Sequence, residues 1–254
     1  MSVAVKTPEK PGSAAAAALP APGEKHRYVR AMFDAIAPRY DLLNSLLSAR
    51  LHHGWRRVAA AQAALRPGDT ALDVCTGTGD LAIQLARRVG REGRVIGGDF
   101  SLPMLRLGER KARRCAPAVV RMTLADAQAL PYPSDVFDAV TVAFGIRNVA
   151  DIERGLGEMA RVARPGGRVV ILEFNQPRNR ALRALWRWLS FRFIPLVGGL
   201  VSGRRHAYEY LPSSVDVFQT REELTSLMER AGLGDVRVTD LMFGTVVVHR
   251  GVKS

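Results

Sequence analysis

Three carboxylates, Asp73, Asp99 and Asp126, and a glycine turn between the first two are the residues best suited to hold a nucleotide. The turn lies in Thr70 to Ala82, TALDVCTGTGDLA. A short apolar run ends at Asp73. Gly77 and Gly79 then supply positive φ and leave bare backbone for a ligand to lie against. Asp80 stands at the expected helix start, where a carboxylate can cap free N–H groups. Asp99 follows Gly79 by 20 residues (99 − 79). A carboxylate at that distance, closing a second strand, can accept both ribose hydroxyls of a nucleoside; the alternative is that it caps the next helix.

These residues need a parallel sheet to meet. The pattern supplies one. Apolar runs at Thr70–Asp73, Arg94–Asp99, Val119–Leu124, Phe137–Phe144 and Val169–Phe174 alternate with helical stretches Leu81–Val89, Leu102–Arg114 and Ile152–Ala163. Such alternation implies a doubly wound α/β sheet whose strand ends share one ligand-binding edge. Asp73, Asp99, Asp126 and Gly145-Ile146-Arg147-Asn148 all fall at that edge. Val236–Asp240 and Thr245–His249 read as two closing antiparallel strands. Ahead of the sheet, residues 25–65 have helical spacing broken at Ala37-Pro38. They form either a plain amphipathic pair or a cap that turns Phe33 and Tyr40 toward a ligand. His52 and His53 read as satisfied polar groups, and the basic helix Leu102–Arg114 as a solvated face. After the fifth strand, residues 178–215 interrupt the pattern. Between Arg178 and His206 arginines are interleaved with Trp186, Trp188, Phe191 and Phe193, and no acid occurs. That mixture suits a helix lying on an anionic membrane, a hairpin over the site or a partner interface.

At 254 residues, 47% hydrophobic and 24% charged, the chain fits one domain with a sizeable core. Its net charge of +13 suits a nucleic acid, an anionic membrane or an acidic ligand. Cys75 and Cys115 are too few for a disulfide framework, which points to a reduced cytoplasm. The His and Cys spacings suggest no metal site. Residues 1–24 are low in complexity and expected to be disordered, without a convincing targeting signal.

Gly77-Thr78-Gly79-Asp80-Leu81-Ala82 fits G-x-G-x-x-A, so a dinucleotide oxidoreductase is one reading. Against it, an acid at each end of the ligand would repel a pyrophosphate but suits S-adenosylmethionine, whose ammonium Asp73 can meet directly or through water. No Tyr-x-x-x-Lys pair is present either. From about Tyr28 to Gly251 the chain resembles the ubiquinone/menaquinone C-methyltransferase family of class I methyltransferases. The resemblance rests on FDAIAPRYDLLNSLLS, LDVCTGTGDLA, GDFSLPML, ADAQALPYP, FDAVTVAFGIRNV, ARPGGRVVILEF and FGTVVVHRG in that order. LDVCTGTGD and GDFS look closer to the menaquinone branch.

The resemblance implies a mostly parallel seven-stranded sheet with its last strand antiparallel, an N-terminal helical cap and a helical insertion after strand five. It implies S-adenosylmethionine as donor, with no metal. Thr78 and the Asp73, Gly77 and Gly79 turn are then expected at the methionine moiety. Asp99 is expected at the ribose, Asp126 and the Ala127 backbone at adenine, and Ala143 in a backbone or packing contact. Cys75 replaces the first glycine of the broad pattern. The implied reaction is C-methylation of demethylmenaquinol, the alternatives being a benzoquinol of the ubiquinone pathway or another acceptor such as RNA. Arg147 is the candidate phenolate stabiliser, with Asn148 and Tyr40 orienting. The expected partners are a prenylated quinol and an anionic membrane, at the inner face of the cytoplasmic membrane, with no nucleic acid; a homodimer is left open.

Overall fold

The protein is described from a computed structural model covering residues 19–21, 23–116, 120–202 and 205–254, with side chains 197–207 omitted. The expected disordered tail, 1–24, thus lies almost wholly outside the described residues.

The cap consists of helix α1 (Lys25–Ile36), a 3-10 turn (Ala37–Arg39), α2 (Tyr40–Leu47) and α3 (His52–Gln62). Pro38, which has no N–H to donate, marks the break between the first two helices. The sheet follows as β1 (Thr70–Val74), α4 (Asp80–Val89), β2 (Arg94–Asp99), α5 (Leu102–Cys115), β3 (Val120–Leu124), β4 (Phe137–Ala143), α6 (Ile152–Val162) and β5 (Ala163–Phe174). The insertion is a helix pair, α7 (Arg180–Ser202) and α8 (Arg205–Asp216). Helix α9 (Arg221–Arg230), β6 (Leu233–Leu241) and β7 (Val246–Lys253) close the chain.

The seven strands run in the order β3-β2-β1-β4-β5-β7-β6. Neighbours from β3 to β5 are parallel, and β7 is antiparallel to both β5 and β6. The fold class expected from the sequence, a mostly parallel seven-stranded sheet with a cap and an insertion, is the one observed. Strand β5 starts at Ala163, ahead of the expected Val169, because a bulge admits Arg164 to Gly167 between two registers with β4. Its side chains alternate between layers. Val169 and Ile171 pack with Phe137, Leu156, Met159 and Met228 on one face. Val170 and Leu172 pack with Leu81, Leu85 and Ala60 on the other. With both faces of the central strands covered, their buried residues are mostly apolar, and ligand chemistry is left to the carboxyl-end edge. The order of strands reverses between β1 and β4, which opens a crevice at that edge.

Candidate functional site

Two clefts meet over the β1–β4 crevice. The smaller, of about 610 Å³, is lined by Gly77, Asp99, Asp126, Ala127, Ala143 and Asn148, with Phe100 and Met104 from the start of α5. The larger, of about 1920 Å³, runs beneath α7 and is lined by Trp186, Leu189, Phe193, Tyr210, Arg56 and Arg147 among others. Phe33, Tyr40 and Phe144 belong to both walls.

The small cleft has the features of a nucleoside site. Gly77 has φ +56°, and a Cβ there would project toward the Tyr40 ring, 3.9 Å from its Cε1. Bare backbone therefore faces the gap beneath Tyr40. Asp99 closes β2 and is almost fully buried. Its Oδ2 accepts from the Gly77 N–H at 2.8 Å and its Oδ1 from the Ser101 N–H at 2.9 Å. Burial, against those bonds, pushes its carboxyl up to about 6. The cap of α5 is Ser101, whose Oγ accepts from the Met104 N–H, so Asp99 stays available to a ligand. Asp126 stands on the opposite rim, with Oδ1 accepting from the Gln128 N–H at 2.9 Å.

Three residues expected at the ligand sit behind it. The Asp73 carboxylate is buried and accepts from Thr76 Oγ1 at 2.6 Å and Thr141 Oγ1 at 2.7 Å. Burial raises its carboxyl to about 6. It ties the turn to β4, and the expected contact with an ammonium group is absent from the lining. Thr78 is also buried; its hydroxyl donates to Asp41 Oδ1 at 2.6 Å and accepts from Lys111 Nζ at 3.1 Å. Gly79, at φ +80°, is bare because Met122 Cε would lie 2.6 Å from a Cβ. It serves the packing of α4 against α5. Asp80 does not cap α4, whose N-cap is Gly79. It pairs with Lys111 at 2.7 Å.

The candidate catalytic residues divide between the clefts. Asn148 faces the small one; its Oδ1 accepts from the Tyr210 hydroxyl at 3.1 Å. Arg147 faces the large one. Its Nη1 donates to Glu173 Oε1 at 2.5 Å and to the Phe144 carbonyl at 2.7 Å, and its Nε to Ser214 Oγ at 3.3 Å. Burial pushes Glu173 upward against the pull of Arg147. Burial likewise raises the Tyr210 phenol to about 12. Among the described residues, the large cleft has no carboxylate in its lining. Helix α7 contributes Trp186 and Phe193 as expected; Trp188 points out and is 62% exposed, and Phe191 is not in the wall. Among the described residues, His52, His53 and Asp80 alone bring three potential metal-ligand atoms together. Arg56 Nη1 already occupies His52 Nδ1 at 2.7 Å, and Lys111 holds Asp80, so two of those ligand atoms are already engaged by side-chain cations.

Sequence reasoning missed Phe100, Met104 and His26 in the small cleft and Arg56 and Tyr210 in the large one. Phe100 adjoins Asp99 and was legible by position; the others reach the site only through helix packing.

Comparison with known proteins agrees with this architecture. The ubiE/COQ5 methyltransferase family matches residues 22–253. A protein of Thermus thermophilus named demethylmenaquinone methyltransferase is 48% identical over 87% of this chain and 99% of its own. One of Geobacter sulfurreducens, named ubiquinone/menaquinone biosynthesis C-methyltransferase UbiE, is 44% identical over 91% and 90%. Among solved structures, a Thermotoga maritima SAM-dependent methyltransferase, described as a possible histamine N-methyltransferase, superposes with a TM-score of 0.62 at 20% identity, over 89% of this chain and 99% of that one. The [4+2]-cyclase SpnF does so with a TM-score of 0.67 at 17% identity, over 92% and 98%. Those two likenesses concern the fold. The match along nearly the whole chain, over a sheet edge that carries Gly77, Asp99 and Asp126 in one cleft, shows that this chain belongs to the ubiE/COQ5 methyltransferase family.

Proposed function

We propose that the chain transfers a methyl group from S-adenosylmethionine to a ring carbon of demethylmenaquinol. The observation that carries this reading is the pair of clefts. A small cleft bordered by Asp99 and Asp126 opens beside a large apolar one, and the two share Phe33, Tyr40 and Phe144. The named activity of the Thermus relative supports the naphthoquinol; the name of the Geobacter relative covers both quinone classes.

The residues present fit the donor. Asp99 accepts from ribose hydroxyls, Asp126 and Ala127 border the adenine end, and the bare Gly77 admits the methionine chain. Bound S-adenosylmethionine supplies a sulfonium methyl, an electrophile that an electron-rich quinol carbon can attack. The protein's part is alignment, which can supply about 7–11 kcal/mol of a barrier. Phe33 and Tyr40, with ring centroids 6.1 Å apart, exclude water at the junction. Arg147 stabilises the phenolate formed when the hydroxyl gives its proton to solvent at the mouth of the acceptor cleft, and Glu173 fixes its guanidinium in place; once the ring carbon carries the methyl it loses its own hydrogen as a proton and the oxygen regains one, so that one proton is released overall. Among the described residues the acceptor wall holds no carboxylate, so a phenolate meets no like charge there. The isoprenoid tail lies along the apolar wall of α7, whose outer face, with Trp188 and Leu196 exposed, rests on an anionic bilayer at the inner face of the cytoplasmic membrane.

Labelled S-adenosylmethionine with a short-tailed demethylmenaquinol, run reduced and oxidised beside a benzoquinol, tests this. Label appearing in the reduced naphthoquinol alone is the expected result. Transfer to the benzoquinol alone would move the chain to the other quinone class, and transfer to neither would reject the acceptor.

A further inference from the structure

The large cleft holds a second buried guanidinium, which the proposed chemistry does not yet use. Arg56, on α3, is 5% exposed. Its Nη1 donates to His52 Nδ1 at 2.7 Å and to the His52 carbonyl at 3.3 Å. Among the described residues, its hydrogen bonds leave from Nη1 alone, and the carboxylates of Asp80 and Asp73 act on it from beyond ion-pair distance. Its Nε and Nη2 are left to the cleft it lines, where a ligand oxygen can accept from them. Arg147 differs in pairing directly with Glu173.

His52 is built to hold this group still. An arginine has no acceptor atom, so His52 Nδ1 must carry no proton, and Nε2–H is left to donate to Ser45 Oγ at 3.3 Å. Burial, then the charges of Arg56 and His53, lowers the imidazole to about 4, so that tautomer is neutral across the physiological range. The guanidinium also lies over the Phe144 ring, 5.2 Å from its centroid. Arg147 stands over Phe174 at 5.6 Å, and the two rings are 4.6 Å apart. The wall of one cleft, which holds no carboxylate among the described residues, thus presents two cations on adjacent aromatic rings.

We propose that Arg56, positioned by His52, is the binding group for the ring oxygen of the acceptor remote from the accepting carbon, and that Arg147 takes the nearer one. A 1,4-diol bears its oxygens at opposite ends of a flat ring, and two donor groups in one wall fix both its rotation and its depth. Only one ring carbon then faces the small cleft. The assignment rests on the quinol reading, and it makes Arg56 the residue that selects a para-dioxygenated ring.

The test pairs protein and ligand changes. The probes are a short-tailed 1,4-naphthoquinol and its two mono-deoxy analogues, each lacking one hydroxyl. Affinities are measured for the wild-type protein, Arg56→Gln and Arg56→Lys, with S-adenosylmethionine binding by calorimetry as the check on folding. The wild type is expected to lose at least about ten-fold in affinity when the hydroxyl facing Arg56 is removed, as for a hydrogen bond to a charged group. In Arg56→Gln that penalty should shrink to under about two-fold, with the other analogue's penalty unchanged. In Arg56→Lys, which keeps the charge, an intermediate penalty is expected. A merely structural role would lower all three affinities together. Penalties unaltered in every variant that still binds S-adenosylmethionine would overturn the assignment while leaving the quinol reading intact. No binding of the naphthoquinol by the wild type would overturn both.

Discussion

Cys75 has φ +53° and Phe144 +58°, so two strand ends bordering the site carry ordinary residues in the region that favours glycine, at roughly 1–2 kcal/mol each. The first of these is where the broad methyltransferase pattern has glycine, and the backbone shows why. Gly145 answers Cys75 across the crevice: a Cβ there would collide with Cys75 Cβ. Gly145→Ala is expected to lose about 1–3 kcal/mol and Cys75→Gly to be tolerated, both read by thermal unfolding. Asp99 predicts a proton linkage. Its raised carboxyl means that the native state binds the proton more tightly than the unfolded chain, so its contribution to stability of the ligand-free protein falls as pH rises from 3.8 through about 6. Hydroxyl donors from a ribose favour the ionised form. Donor binding near pH 6 should therefore release protons, and the release should fade well above that pH. Calorimetry in buffers of different ionisation enthalpy reads this, and Asp99→Asn should abolish it while weakening binding by about 1.5–3 kcal/mol. For Arg147 the pairing with Glu173 separates two roles. Arg147→Ala alone should cost about 3–5 kcal/mol of stability by stranding the buried carboxylate. Arg147→Met with Glu173→Met should recover much of that in unfolding experiments and none of the turnover.

The elements that position these residues were legible to different depths. Alternating apolar runs and helical stretches disclose the sheet because its central strands are buried on both faces, and the acids at Asp73, Asp99 and Asp126 mark its ligand edge. What the pattern does not disclose is which atoms of the turn face outward. Asp73, Thr78 and Gly79 have the right types in the right order, yet their bonds to Thr141, Lys111 and the packing at Met122 turn them inward. The cap is similar: Phe33 and Tyr40 were readable as ligand-facing, but the latch that holds them was not. Asp41 pairs with Lys111 at 2.6 Å and accepts from Thr78, Asp34 accepts from Ser101 Oγ at 2.5 Å, and Lys25 Nζ donates to the Val149 carbonyl at 2.8 Å. Lys111 lies in a helix that reads as a solvated basic face, and only the packing of α5 beneath the cap singles it out. Because Asp41 is half-exposed, its loss should cost no more than about 1 kcal/mol. The expected sign of Asp41→Ala is faster hydrogen exchange in α1 and α2 and a few-fold higher KM for the donor, with the core unchanged.

Across the whole molecule, the net charge of +13 accompanies a set of exposed apolar residues. Phe193 and Phe243, the latter 83% exposed in a turn at φ +56°, line the large cleft, while Trp188 and Leu196 on α7 and Leu42 and Leu46 on α2 are exposed on helices that border it. Among the described residues no helix is long and apolar enough to cross a membrane. Flotation with anionic vesicles should be strong at low salt and weak with zwitterionic ones. Trp188→Ser, Phe193→Ser and Phe243→Ser together should reduce it by roughly ten-fold or more, while a detergent-dispersed short-tailed acceptor is still methylated. The insertion was recognisable from its arginines and aromatics, but its occupancy of one wall of a cleft depends on contacts between α7 and α2 that no local pattern encodes. The partition formed by Phe33, Tyr40 and Phe144 has a kinetic meaning. It roofs the donor compartment and flanks the acceptor compartment, so a long lipid seated in one obstructs exchange from the other. The spent donor then waits for the methylated lipid to depart. Rapid-quench experiments should show a burst of one turnover per site with a long-tailed acceptor and none with a short-tailed one, placing the slow step of the cycle at the membrane rather than at the bond being made.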